Sequence, residues 1–201
     1  MAKASNKRVF RLVQLALLTA TTIVLTMLPI KIGAFQFALA LTPIVIGAAA
    51  LGPPAGAWLG AVFGAMVLLN GDAALFLAFS VPRTVFLVLL KGSLAGLCAG
   101  AVYRALERRN KTAAAILASV LAPVANTGVF ALGGYTLFAD YIKAFPATMP
   151  DFFGSLRGQS LGYILFIGLI GVNFFVELGI NTILSGAVVR ILRVWRDRAA
   201  A

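Results

Sequence analysis

Apolar residues run in long stretches along this chain, and turn residues and charges fall in the short intervals between them. Six stretches emerge, at about 12–29, 37–51, 55–69, 83–106, 113–138 and 161–190. A helix needs about 20 residues to cross the hydrocarbon core, so the second and third are short and call for tilting, kinking or shelter by neighbours. The first stretch ends at Pro29, and Pro43 is expected to bend or interrupt the second. Gly52-Pro53-Pro54 reads as a tight turn between the second and third. The intervals 30–36, 70–82 and 139–160 then share one side. The last is the longest and holds Asp140, Lys143, Pro146, Pro150, Asp151 and Arg157. Such a segment is either a lid or a surface connection. No repeat relates the two halves, which weighs against an inverted-repeat carrier.

Composition turns this pattern into a class. Of 201 residues, 61% are hydrophobic and 11% charged, against about a quarter charged in a soluble domain. A water-soluble globule of this size could not solvate its surface. The expectation is an all-α, polytopic membrane protein: one membrane domain over residues 1–201, with six transmembrane helices. The net charge of +11 belongs to that topology rather than to nucleic acid, because no soluble segment interleaves aromatic and basic residues. Twelve of the 17 basic residues form three clusters: Lys3, Lys7, Arg8, Arg11; Arg104, Arg108, Arg109, Lys111; and Arg190, Arg193, Arg196, Arg198. Basic residues beside spans mark the cytoplasmic side, which puts both termini inside, with four spans before the middle cluster and two after. Ala38-Leu39-Ala40 has the look of a signal-peptide cleavage site, but it lies far past the end of the first apolar stretch.

Several chemistries drop out. There is no histidine, hence no Ser-His-Asp triad, Cys-His pair or imidazole metal site. The one cysteine, Cys98, stands in an apolar run and reads as a packing residue. No metal or cofactor is expected. Lys91-Gly92-Ser93 lacks the glycine-rich loop of a nucleotide site, so the chain does not itself hydrolyse ATP. Asp72, Asp140 and Asp151 are scattered, with no DxxxD or DDxxD, which weighs against a membrane-embedded lipid-modifying enzyme.

Small residues recur at four-residue spacing. Gly56, Gly60 and Gly64 mark the third stretch, and Gly92, Gly96 and Gly100 the fourth. In lipid such rows let backbones touch. They are read as contacts within the chain in preference to a homodimer seam. In the first stretch Ala16 and Ala20 share one face near the basic N-terminus.

These motifs carry a resemblance. Ala16-xxx-Ala20, Pro43-Ile44-Val45-Ile46-Gly47 running into Leu51-Gly52-Pro53-Pro54-Ala55-Gly56-Ala57, and Asn126-Thr127-Gly128-Val129-Phe130 followed by Gly133-Gly134-Tyr135 are together similar to the S component of energy-coupling factor (ECF) vitamin transporters. The resemblance covers nearly the whole chain. It implies six helices around an outward-facing pocket closed by the loop between helices one and two. It also implies partners: a transmembrane T subunit, on which Ala16 and Ala20 would dock, and two ATPases. The bound subunit would then topple to release its vitamin inside. The Asn-Thr pattern of helix five is most similar to the pantothenate branch.

Polar groups within the apolar stretches supply the candidate site, since each ionisable one costs about 2.5–3.5 kcal/mol to insert. Asn173, Glu177 and Asn181 follow at four-residue intervals along one face, Arg83 and Lys91 stand on the fourth stretch, and Asn126, Thr127 and Tyr135 on the fifth. Gln36 and Asn70, in or beside outer loops, could close a pocket. One reading is a polar pocket in which Arg83 and Lys91 receive a carboxylate and the asparagines meet hydroxyls or amides. The other is a Lys91–Glu177 ion pair with asparagines joining helices. Arg83, Asn126 and Asn173 suit ligand contact best, whereas Glu177 and Asn181 lie deeper and suit helix contacts. The function expected is a vitamin-binding importer subunit, with a stand-alone secondary carrier as the alternative.

Overall fold

A computed structural model of the chain describes residues 2–28, 31–32, 35–36, 39–171 and 174–185. The first helix, α1 (Ala2–Met27), is followed by a two-rung antiparallel ladder, β1 (Lys31–Ile32) with β2 (Phe35–Gln36). Then come α2 (Leu41–Leu51), α3 (Pro53–Leu69), the short α4 (Ala74–Phe79), α5 (Val81–Leu106) and α6 (Lys111–Leu137). After α7 (Ala139–Thr148), α8 (Pro150–Phe153) and a 3₁₀ turn (Gly154–Leu156), α9 (Leu161–Tyr163) runs into a π-helix over Ile164–Ile170. Beyond a break at Gly171, where φ is +40°, α10 resumes over Phe174–Ser185. Apart from the small ladder and short turns, the described residues are helical.

Local chemistry accounts for these boundaries. Threonines survive in apolar α1 because Thr19, Thr21, Thr22 and Thr26 each donate their hydroxyl to the carbonyl four residues back, at 2.6–2.9 Å. Pro43 falls in the first turn of α2, where a missing N–H breaks no helical bond. It therefore neither bends nor interrupts the helix, contrary to expectation. The helix in the second stretch is shorter than the stretch itself, because α2 begins at Leu41. Gly52 turns the chain at φ +103°, a conformation that strains other residues, and Pro53 opens α3. Asn110 caps α6, its side-chain oxygen accepting from the amides of Thr112 and Ala113 at 3.0 Å.

The intervals expected as loops are partly helical. α4 fills 74–79 of the second, and α7 and α8 fill much of the third. Helix occupies all or part of each of the six apolar stretches. Among the described residues, Arg8–Met27, Val81–Leu106 and Lys111–Leu137 are long and apolar enough to cross a membrane. Leu161–Ile170 with Phe174–Ser185, bent by 47°, makes a fourth if taken as one span; α2 and α3 are shorter apolar helices.

The most extensive helix pair is α3 with α5, and the glycine rows explain it. A methyl group on Gly60 would meet the carbonyl of Gly92, and one on Gly92 the carbonyl of Gly60; Gly56 and Gly96 oppose each other in the same reciprocal way. Gly64 faces Val88 and Gly100 faces Pro53, so both rows lie in one internal seam. The six glycines bring two backbones into contact within this chain.

The two ends of the bundle differ. At one, Arg11 of α1 donates to the Leu51 carbonyl at 2.8 Å, and the Arg104 guanidinium of α5 packs on Gly52. The first and middle basic clusters thus share an end. The third cluster, 190–198, lies outside the described residues. At the other end α4 and α7 are joined by aromatic contacts: Phe79 stacks on Tyr141 with centroids 4.5 Å apart, and the Tyr141 hydroxyl donates to the Leu75 carbonyl at 2.7 Å.

Candidate solute-binding site

A cavity of about 350 Å³ lies in the half of the bundle away from the Arg11–Arg104 end. Its walls come from the last turns of α1 and α3, the Asp72–Phe76 segment, the first half of α5, the middle of α6, and both sides of the α9–α10 break. Five phenylalanines line it: Phe63, Phe76, Phe130, Phe138 and Phe174. Phe76 meets Phe130 and Phe138 edge to face at 5.6 and 5.1 Å, which ties the short α4 to α6 across the cavity.

The polar lining is sparse. Thr26 and Thr84 commit their hydroxyl protons to the carbonyls of Thr22 and Ser80, at 2.6 and 2.8 Å. Lys91 reaches over the Phe130 ring, with its ammonium 5.2 Å from the centroid, a cation–π contact worth about 2 kcal/mol where water is excluded. Glu177, 8% exposed, and Asn126, 7% exposed, also line the cavity. Glu177 Oε1 and Asn126 Oδ1 are buried without a hydrogen-bond partner. Among the described residues no ion pair within 4.0 Å joins Lys91 to Glu177. The two side chains face one space from α5 and α10.

The sequence-derived candidates divide. Lys91, Asn126, Thr127 and Glu177 are brought together around the cavity. Arg83 is not a lining residue; it is exposed and donates to the Leu137 carbonyl at 3.2 Å, holding the start of α5 to the end of α6. Tyr135 is 59% exposed and also lies away from the lining. Asn70 stands beside the cavity, bridging the Thr26 carbonyl and the carboxylate of lining residue Asp72 at 3.1 and 2.8 Å. Gln36 is opposite Lys31 in the ladder, and Asn173 lies outside the described residues. Asn181 receives the Thr42 hydroxyl at 3.0 Å and donates to the Glu177 carbonyl at 3.0 Å, so it links α2 to α10. Glu177 belongs to the cavity wall instead.

Two kinds of lining residue escaped the sequence reading. Phe130 stands four residues after Asn126 and therefore on the same face, a signal that was available. Asp72 and Phe76 lie in an interval without apolar periodicity, and only the fold of α4 onto the bundle brings them in.

Ala16 and Ala20 are both on the open side of α1, among exposed Val13, Leu17 and Val24. The opposite side of α1 carries buried Thr22 and Thr26 and packs on α2 and α3. Trp58 of α3 donates to the Thr19 hydroxyl at 3.3 Å beside this face.

A bundle of apolar helices around an aromatic cavity with few polar groups is the form of a membrane-embedded solute-binding protein. Residues 10–189 match the family described as "ECF transporter, substrate-specific component", and the chain belongs to that family. It is accordingly a transporter binding protein and not an enzyme. In fold it is similar to the solved structure of ThiT from Listeria monocytogenes, with a TM-score of 0.65 and 17% identity over 92% of this chain and 96% of that one. No curated protein sequence matches it.

Proposed function

We propose that this chain is the solute-capturing subunit of an ATP-driven vitamin importer, a single membrane domain of six spans with both termini in the cytoplasm. The observation that carries the reading is the cavity's position at the end of the bundle opposite Arg11 and Arg104. Basic residues favour the cytoplasmic face, so a cavity at the far end receives solute from outside. The short helices α2 and α3 cross as sheltered elements, flanked by α1, α5 and α6. Lys91, Asn126, Thr127 and Glu177 contact the solute, while Asn70 and Gln36 belong to its closure.

Energy comes from outside the chain. A T subunit docks on the Ala16–Ala20 face, two ATPases drive the cycle, and the loaded subunit tilts to deliver its cargo. The family match supports this over a secondary carrier. Co-expression with a T subunit and two ATPases in liposomes should give ATP-dependent solute uptake. Accumulation by the purified chain alone would overturn the reading. Pantothenate is the cargo the sequence suggests, and Lys91 favours it as the one cation among the described lining residues that could receive its carboxylate. Arg83, outside the lining, does not share that task.

A further inference from the structure

We propose that Arg8, Arg11 and Arg104, at the bundle end that holds the Gly52 turn, form a binding site for the headgroup of an anionic phospholipid, whose acyl chains lie along exposed Leu12 and Trp58. The first ground is convergence. Arg11 donates to the Leu51 carbonyl and Arg104 packs on Gly52, so guanidinium groups from α1 and α5 meet at one turn. Arg8 stands three residues before Arg11 and so on the same side of α1. At about 3.6 residues per turn, that side carries buried Thr22 and Thr26 and lies roughly a third of a turn from Ala16 and Ala20. The site is therefore separate from the face assigned above to the T subunit.

The second ground is uncompensated charge. Arg8, Arg11 and Arg104 are all exposed, and Arg108, Arg109 and Lys111 follow Arg104 where α5 gives way to α6. Glu107 is the one carboxylate that the described residues place at this end. Among them, no ion pair within 4.0 Å joins it to any of these cations. A guanidinium offers several N–H donors in a planar fork matched to phosphate oxygens, and the Leu51 carbonyl takes one from Arg11.

The third ground is what lies beside the charge. Leu12, four residues after Arg8, is exposed, and Trp58 of α3 is exposed where it donates to the Thr19 hydroxyl of α1 at 3.3 Å. Cations at the end of the bundle with an apolar strip leading away along α1 and α3 match an amphipathic occupant. A soluble phosphate or an acidic protein segment would use the charge alone. Basic residues where a span meets the membrane surface attract anionic headgroups.

Native mass spectrometry of the detergent-solubilised full chain, with phosphatidylglycerol and phosphatidylcholine of matched acyl chains, tests this. Phosphatidylglycerol should bind at least about tenfold more tightly, since each cation near such a headgroup contributes about fivefold. Glycerol phosphate, which has no chains, should not displace it at equal concentration. Arg11 and Arg104 also hold the Gly52 turn, so Arg8→Gln is the variant of choice: Arg8 has no side-chain bond to lose among the described residues. It should weaken phosphatidylglycerol binding about fivefold. Lys143→Gln on α7 removes the same charge from the other end and should leave binding unchanged. Equal binding of the two lipids, displacement by glycerol phosphate, or a loss no larger for Arg8→Gln than for Lys143→Gln would each overturn the proposal. So would an Arg8→Gln chain that loses a T or ATPase subunit and keeps its phosphatidylglycerol, which would assign the cations to an acidic protein partner. The lipid comparison on the unaltered chain needs no variant to fold.

Discussion

Glu177 and Asn181 stand one helical turn apart and do different work. Asn181 spends its amide on the Glu177 carbonyl and its oxygen on the Thr42 hydroxyl, so it is a joint between α10 and α2. Replacing it with alanine strands the buried end of that link. Asn181→Ala should cost about 1 kcal/mol, the scale of interhelical hydrogen bonds in membranes, seen as a lower melting temperature with solute affinity unchanged. Arg83 makes the converse case. Its guanidinium is exposed and donates to a backbone carbonyl, so Arg83→Ala should leave solute affinity within about twofold by equilibrium titration, since exposed polar contacts are worth little. The four-residue spacing of Asn173, Glu177 and Asn181 was legible in the sequence. That Glu177 meets a cavity and Asn181 a neighbouring helix depends on the bend at Gly171 and the approach of α2.

Among the elements, the α3–α5 seam sets the tolerance for substitution. Gly60 and Gly96 have no room for a side chain, because the opposing atoms are backbone carbonyls that cannot rotate away. Gly60→Leu should part the helices and remove the monodisperse peak in size-exclusion chromatography. Gly128 in α6 has open space around its Cα, so Gly128→Ala should be neutral or stabilise by up to about 1 kcal/mol through helix propensity. The same residue type gives opposite outcomes because one helix face meets another backbone and the other does not. Four-residue spacing marked the rows, but only their reciprocal placement shows that each is the other's partner. Pro43 carries a parallel lesson. A proline breaks a helix by position, and at the first turn of α2 it breaks nothing.

At the scale of the molecule, one face of α1 is left uncovered by the other described residues. Ala16 and Ala20 leave it flat between larger exposed apolar residues. Ala16→Trp should abolish ATP-dependent uptake in the reconstituted complex and leave solute binding by the isolated chain intact. Unchanged uptake would remove this face from the coupling cycle. The two ends of the bundle are also unlike, with Arg11 and Arg104 gathered on the Gly52 turn and the Phe79–Tyr141 stack opposite.

Composition and apolar run length by themselves determined that this chain is a helical membrane protein, because lipid leaves the backbone no other satisfied state that its pattern fits. The Ala16-xxx-Ala20 motif, the P-x-x-x-G…L-G-P-x-x-G-A pattern and the Asn126–Tyr135 motif pointed onward to its family. Which of the candidate residues reach the cavity, and which others join them, was decided by tertiary structure. Asp72 and Phe76 enter it from an interval without periodicity, and Arg83 leaves it by bonding to α6. Helical spacing orders residues around one axis, but the sign of the charge at a cavity depends on how several axes are set against one another.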